Sequence, residues 1–330
     1  MKVLVTGATG FVGSHLLDLL LKMPQIEIHA TRRWASRMTL VEHIEGVETR
    51  IRWHLCELGD PFSVDGVVSS VKPDRIFHLG AQSFVSPSWG APETCFRTNV
   101  MGTLYLLESL RRNELAATRV LLPGSGEEYG DVPEAELPIR PETQLRPVNP
   151  YAVSKVAQDL LGYEHHKSYG LQVIRVRAFN HEGPRRDCVF ALPSFARQIA
   201  RIEAGPAPPV ITVGNLDARR NWTDVRDMVK AYWLALEKCP PGELFLIGSR
   251  QILTVRECLE KMLSMSPKKE LISIETDPAL VRPTEPMRLE ADVEPFGDLT
   301  GWTPEIPFEQ TLRDILEYWR SRVSLERRQP

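Results

Sequence analysis

Short, nearly continuous apolar runs alternate through the first half of the chain with longer stretches whose apolar positions recur at helical spacing. A strand buried on both faces shows no polar alternation, whereas a helix covering it keeps one apolar stripe. On this pattern Lys2–Thr6 is predicted to be a strand and Phe11–Lys22 a helix. Ile28–Arg32, Ile51–Leu58 and Arg75–Ala81 are predicted as the second, third and fourth strands. A long helix over Arg97–Asn113 leads to a strand at Arg119–Leu122, then a helix over Tyr151–Ser168 and a strand over Gln172–Phe179. Such alternation predicts an α/β fold with a doubly wound parallel sheet.

Beyond about Gly183 the pattern loosens. Prolines cluster at Pro206, Pro208 and Pro209 and again at Pro240 and Pro241. Helical spacing returns at Arg226–Lys238, Val255–Met265 and Phe308–Val323, and Val210–Val213 reads as a short strand. The expectation is a smaller, mixed α/β C-terminal substrate lobe over residues 184–330. Residues 1–183 form the first domain, with strand contributions from later segments. The tail Arg327–Pro330 is expected to fray. No internal repeat or low-complexity tract is visible.

Composition adds exclusions. Apolar residues make up 42% and charged ones 25% of 330 residues, an ordinary soluble mix with ample material for a core. Net charge is −3 with no basic stripe, so no nucleic-acid partner is expected. The five cysteines, Cys56, Cys95, Cys188, Cys239 and Cys258, include no close pair. They read as buried or partly buried free thiols in a reducing compartment, not as disulfides or a zinc site. The start runs straight into a strand with no signal-peptide pattern, and the apolar run Leu16–Leu21 is too short for a bilayer. A cytoplasmic protein with no membrane partner is expected.

Candidate chemistry begins at Gly7-Ala8-Thr9-Gly10-Phe11-Val12-Gly13, between the first strand and the first helix. Residues without a Cβ allow a tight turn and let a pyrophosphate approach the N–H groups of the helix start. Strand, glycine turn and helix together are the Rossmann-type dinucleotide signature. The second strand ends in Arg32-Arg33, where NAD-selective folds place an acidic residue. Guanidinium groups there suit a 2′-phosphate, so NADP is the expected cofactor. Tyr151 and Lys155, four apart, share one helix face. An ammonium beside a phenol stabilises phenolate, which can then exchange a proton with a hydroxyl or carbonyl. Ser125, just past the fifth strand, is placed to hold the reacting oxygen.

The glycine turn, Ser125 and Tyr-x-x-x-Lys stand in the order of the extended short-chain dehydrogenases/reductases, and the chain resembles that family nearly throughout. Leu79-Gly80-Ala81-Gln82-Ser83 and Asn180-His181-Glu182-Gly183-Pro184-Arg185-Arg186 extend the resemblance to the branch of GDP-mannose 4,6-dehydratases and GDP-4-keto-6-deoxymannose reductases. The resemblance implies that Gly7, Thr9, Gly10, Phe11, Val12, Gly13, Arg32 and Arg33 bind NADP. It adds Glu57 and Leu58 near adenine, and Leu79, Ala81 and Ser83 beside nicotinamide, with Tyr151 and Lys155 also touching cofactor. Most relatives carry Asp at the position of Glu57. It implies that Ser83, Ser125, Glu127, Tyr151, Asn180, Arg220, Arg282 and Glu285 meet the GDP-sugar. In this picture Arg220 and Arg282 clamp the diphosphate, Glu285 binds ribose, and His181 lines the site.

The resemblance leaves two activities. A dehydratase oxidises carbon 4, removes the carbon 5 proton, expels water from carbon 6 and returns the hydride. Glu127 matches its base, and Arg32-Arg33-Trp34-Ala35-Ser36 resembles a dehydratase loop that crosses between subunits. A reductase reduces the 4-ketone with NADPH. Ser125-Gly126-Glu127-Glu128-Tyr129-Gly130, Asn215-Leu216-Asp217-Ala218 and Thr300-Gly301-Trp302-Thr303-Pro304 resemble that group more. The reading expected here is the GDP-mannose 4,6-dehydratase, with the reductase as alternative and a non-catalytic NADP sensor as the rival from another class. A homodimer or homotetramer is implied, pairing through the helices Arg97–Asn113 and Tyr151–Ser168. No metal is required. His165-His166 reads as a solvated face near a helix end, and Met262 and Met265 as core packing.

Overall fold

The computed structural model describes residues 1–205 and 207–326, so Pro206 of the proline cluster and the tail 327–330 lie outside the described residues. Seven parallel strands form one sheet: β1 (Lys2–Thr6), β2 (Glu27–Arg32), β3 (Arg52–Leu55), β4 (Arg75–His78), β5 (Arg119–Ser125), β6 (Gln172–Ala178) and a seventh at Leu244–Ile247. Their order is Leu244–Ile247, β6, β5, β4, β1, β2, β3. The chain turns back at β1 and β4, so their C-terminal ends flank the crevice where doubly wound sheets bind ligands. β1 is apolar for the reason its pattern implied: Val3, Leu4 and Val5 are buried from both sides.

Two apolar layers hold the sheet. Leu16, Leu17 and Leu20 of the first helix (Phe11–Leu20) pack on one face with Met228, Val229 and Tyr232 of the helix Val225–Lys238. Val64, Val68, Leu106, Leu107 and Leu110 cover the other. The chain beyond 183 therefore returns to the first layer as a covering helix, as the seventh strand and through Phe296 and Trp302. A separate core joins Leu192, Phe195 and Ile199 to Met262, Leu312 and Ile315. Small strand pairs frame this lobe: Arg219–Asn221 lies between Ile252–Thr254 and Arg288–Leu289, and Val210–Val213 pairs with Ser273–Thr276.

Several expectations need correction. Elements that escaped the pattern include the helix Pro61–Val71, capped by the Asp60 carboxylate, the helix Ala191–Ala204, and the seventh strand. The expected helix Arg97–Asn113 opens as a wider π turn over Arg97–Met101 before continuing as Gly102–Arg112. Inside that turn the Asn99 amide bonds the backbone of Gln82 and the Ser154 hydroxyl. β5 runs three residues further than expected, to Ser125, because β6 pairs with it that far. β3 and β4 stop earlier, at Leu55 and His78. His165 is not on a solvated face: its ring is buried against Tyr169, and its Nδ1 meets the Leu161 carbonyl. The neighbouring helix Gly102–Arg112 covers that side, with Glu108 facing the imidazole. Met262 is core, as expected. Four cysteines are buried and Cys188 half-buried, all free. Among the described residues no helix is long and apolar enough to cross a membrane.

Candidate active site

The strand-to-helix turn positions the first part of the site. Gly7 sits at φ +67°, and a Cβ there would come within 2.7 Å of the Gly80 nitrogen. A Cβ on Gly13 would collide with the Gly7 carbonyl. Only glycine permits this contact between turn, helix start and the β4 loop. The Thr6 hydroxyl fixes that loop by accepting the Gly80 N–H at 3.0 Å. Leu58 packs beneath Gly80, while Glu57 stays exposed.

This turn opens into a cleft of about 590 Å³. Every expected site residue lines it except Lys155: the turn residues 7 and 9–13, Arg32, Arg33, Glu57, Leu58, Leu79, Ala81, Ser83, Ser125, Glu127, Tyr151, Asn180, Arg220, Arg282 and Glu285. Arg32 lies against the Trp53 ring and pairs with exposed Glu48 at 3.3 Å, while exposed Arg33 donates its backbone N–H to the Ser36 hydroxyl. Both residues line the cleft at the C-terminal end of β2. A glycine turn with no room for a Cβ, joined to two cations at that end, fits a phosphorylated dinucleotide.

The helix Pro150–Tyr169, which carries Tyr151 and Lys155, starts where its caps dictate. The Asn149 side chain accepts the Ala152 N–H at 2.8 Å, Pro150 occupies the first turn, and Gly170 ends the helix at φ +69°. The Ser125 hydroxyl hydrogen-bonds the Tyr151 phenol. Lys155 does not line the cleft and donates to the Pro123 carbonyl at 2.8 Å and the Gln158 side chain at 2.9 Å. One expectation is corrected. The Tyr151 phenol is pushed up, not down, because burial outweighs the Ser125 bond, and the Lys155 ammonium is spent on neutral oxygens. Burial also lowers Lys155 to about 8.

Glu127 faces the same cleft. Its Oε2 accepts from the Asn149 amide at 3.2 Å, and its Oε1 lies 3.7 Å from Arg282. Arg282 stands at the same distance from Glu285. Arg220 is buried and donates to the carbonyls of Arg219, Pro286 and Met287, so it braces the loop that carries Glu285. Arg282 is the freer of the two cations. His181 stacks on Phe11 across the cleft, and burial lowers it to about 4, so it is neutral there near pH 7.

The family of GDP-mannose 4,6 dehydratase matches residues 4–315. The chain belongs to the GDP-mannose 4,6-dehydratase family. Among relatives, it is 35% identical to the GDP-6-deoxy-D-mannose reductase of Pseudomonas aeruginosa, covering 98% of this chain and 99% of that one. It is 31% identical to the GDP-mannose 4,6-dehydratase of Yersinia enterocolitica, covering 96% and 92%. Among solved structures, RMD from Pseudomonas aeruginosa complexed with NADPH superposes with a TM-score of 0.80 at 32% identity, over 97% of this chain and 99% of that one. The UDP-glucose 4-epimerase of Thermus thermophilus in complex with NAD gives 0.82 at 27%, over 97% and 99%. The family holds both activities raised by the sequence, and the site geometry must separate them.

The residues sequence reasoning missed lie under the site. Glu128, Asp159, Arg175 and Arg177 are all buried and joined by ion pairs. Their one visible signal was a pair of arginines two apart in an otherwise apolar strand.

Proposed function

We propose that the protein is a GDP-mannose 4,6-dehydratase using bound NADP. The observation that carries this reading is the Glu127 carboxylate, in one cleft with the Ser125 hydroxyl and the Tyr151 phenol. Ketone reduction has no carbon-bound proton to remove, whereas dehydration does.

NADP, when bound, supplies the acceptor for the carbon 4 hydride and its return at carbon 6. Tyr151 Oη takes the proton of the carbon 4 hydroxyl, and the Ser125 hydroxyl donates to the same oxygen. Lys155 places positive charge one helical turn from the phenol. Once carbon 4 is a ketone, the carbon 5 proton is acidic, and a Glu127 oxygen removes it. Glu127 passes that proton to the carbon 6 hydroxyl, which leaves as water. The proton held on Tyr151 then goes to carbon 5, so the balance is loss of one water. Gly7, Thr9, Gly10, Phe11, Val12 and Gly13 would hold the pyrophosphate side of NADP. Glu57 and Leu58 would flank adenine, and Leu79, Ala81 and Ser83 would flank nicotinamide. Asn180, Arg220, Arg282 and Glu285 receive the sugar nucleotide. The same reading assigns residues 1–183 mainly to cofactor and 184–330 mainly to substrate.

One observation favours the GDP-4-keto-6-deoxymannose reductase as second reading. Residue 126, beside the base, is glycine, and the Phe179 ring lies 3.0 Å from where its Cβ would stand. No side chain there can assist the leaving oxygen. The test is direct: purified protein with GDP-mannose and no added reductant is expected to yield a 4-keto product. Consumption of NADPH only with the 4-keto sugar establishes the reductase instead.

The cofactor half has its own prediction. Each charged hydrogen bond to phosphate is worth about 1.5–3 kcal/mol. Alanine at both Arg32 and Arg33 is expected to weaken NADP binding by about 10²-fold or more, with NAD binding little changed. Fluorescence titration measures both, and equal losses for the two cofactors refute the assignment. We place the enzyme in the cytoplasm as a homodimer or homotetramer. Exposed Val153, Leu160 and Tyr163 on the catalytic helix and Trp34 in the cleft-edge loop are the surfaces that support assembly.

A further inference from the structure

Asn149 stands just before the helix Pro150–Tyr169 and is buried. A buried side-chain amide has both an acceptor and a donor to satisfy. Its Oδ1 accepts the Ala152 N–H at 2.8 Å as the helix cap. That bond fixes which way the amide points, because a backbone N–H only donates. The Nδ2 end must face the other side, and it donates to Glu127 Oε2 at 3.2 Å. The cap by itself does not call for asparagine, since serine and aspartate cap a helix about as well. A serine hydroxyl ends one bond nearer the backbone, and an aspartate carboxylate offers only acceptors. Asparagine caps with one atom and donates with the other. A second link runs beside this one: the Glu127 backbone N–H donates to the Ser125 hydroxyl at 3.2 Å, and that hydroxyl bonds the Tyr151 phenol. The turn Gly126–Tyr129 is thus tied to the start of the Tyr151 helix through Ser125 and through Asn149.

We propose that Asn149 is a positioning residue that holds the Glu127 carboxylate in place at the cleft and favours its ionised, proton-accepting form. The inference rests on the reading of Glu127 as the base. A hydrogen bond donated to a carboxylate stabilises the charged form over the protonated one. The charged and titratable groups facing Glu127 come from three places. Arg282 lies 3.7 Å from Oε1. Arg220, on the strand Arg219–Asn221, and Tyr151, on the helix, feel the same charge. Glu128 follows in the turn, but its carboxylate is taken by Arg177. Arg282 is shared with Glu285, and the proposed function turns it toward the sugar nucleotide. Asn149 does not line the cleft, so a bound ligand leaves its bond to Glu127 in place. When substrate draws Arg282 away, the Asn149 amide is the donor that stays.

Two substitutions keep the cap and change only the link. Asn149→Ser removes the donor, and Asn149→Asp sets a carboxylate against Glu127. Without the donor Glu127 binds a proton more tightly, by about tenfold for one such bond. The acid limb of kcat, where the base is lost to protonation, then moves to higher pH. In Asn149→Asp two facing carboxylates cannot both ionise easily, and the capping bond keeps the aspartate charged, so the shared proton falls on Glu127. The acid limb moves further there than in Asn149→Ser. The carboxylate is also less well aimed, so kcat on the pH plateau falls by about tenfold or more while KM for GDP-mannose stays within about twofold. A residue that served only as a cap would produce neither effect, because both replacements cap.

The test follows the Glu127 carboxyl signal against pH by carbon NMR of glutamate side chains, in the unaltered protein and in both variants. Glu127→Gln assigns the signal. The pH profiles of kcat and KM with GDP-mannose are read alongside, and circular dichroism confirms the fold. A titration midpoint that rises in Asn149→Ser and further in Asn149→Asp, with kcat lowered and KM unmoved, supports the inference. An unmoved midpoint in the folded variants overturns it. So does a moved midpoint with unchanged kcat in an enzyme that forms the 4-keto product. If Asn149→Ser does not fold, Asn149→Asp, which matches asparagine in size and caps as well, carries both readouts. The NMR arm needs no substrate. A protein that makes no 4-keto product refutes the dehydratase reading, and the carboxyl titration still decides whether Asn149 governs Glu127.

Discussion

Tyr151→Phe is expected to reduce turnover by about 10²–10⁴-fold while NADP and GDP-sugar affinities change little. The ring is buried and bonded through its hydroxyl to Ser125, so phenylalanine keeps the packing and removes only the proton-carrying oxygen. Burial holds the empty-site phenol up, and only the Ser125 bond among its neighbours pulls it down. Lys155 spends its ammonium on the Pro123 carbonyl and Gln158. Phenolate character must therefore come from positive charge brought beside the phenol when the cofactor binds, because further exclusion of water alone would raise it still more. Steady-state kcat and KM, with circular dichroism to confirm the fold, check this. Turnover retained within a few-fold would remove Tyr151 from the proton pathway.

The second large effect separates the two activities. Glu127→Gln is expected to cut formation of 4-keto product from GDP-mannose by about 10²–10⁴-fold. Glutamine keeps the volume and can still receive the Asn149 amide. It cannot take the carbon 5 proton. Loss of deuterium exchange at carbon 5 should accompany loss of product. If the protein is instead the 4-reductase, the same variant keeps most of its NADPH-dependent ketone reduction, because that reaction uses Ser125, Tyr151 and Lys155 alone. Full 4-keto product formation by Glu127→Gln would refute the base assignment.

Glu127 and Glu128 show how little neighbouring letters say about role. Both are glutamates in one turn of 3-10 helix. One carboxylate opens on the cleft, and the other is locked under it by Arg177 and the Ser125 N–H. The resemblance to the dehydratases, two residues after Ser125, made the first readable as a candidate base, although the run Ser-Gly-Glu-Glu-Tyr-Gly as a whole resembles the reductases more. Its one local partner is the Ser125 N–H three residues back, and the guanidinium that locks it comes from β6. Arg220 and Arg282 form a comparable pair. Sequence reading treated them alike, and the structure sets one to brace backbone carbonyls and leaves the other between two carboxylates.

Elements whose signal is local were legible in the sequence. The apolar run of β1, the glycines at 7, 10 and 13, the Pro150 start and the Lys155 spacing each act within a few residues of themselves. Sterics, capping and helix periodicity need no distant partner. So the parallel sheet, the cofactor turn and the Tyr–Lys face followed from the chain alone. Tertiary structure decided what depends on packing. The seventh strand adds to the sheet only because β6 offers it an edge. His165 is buried only because a second helix covers it. The phenol of Tyr151 is raised rather than lowered because the fold buries it and turns Lys155 toward carbonyl oxygen. Burial and charge pairing are sums over neighbours far apart in sequence, and only the assembled fold supplies those neighbours.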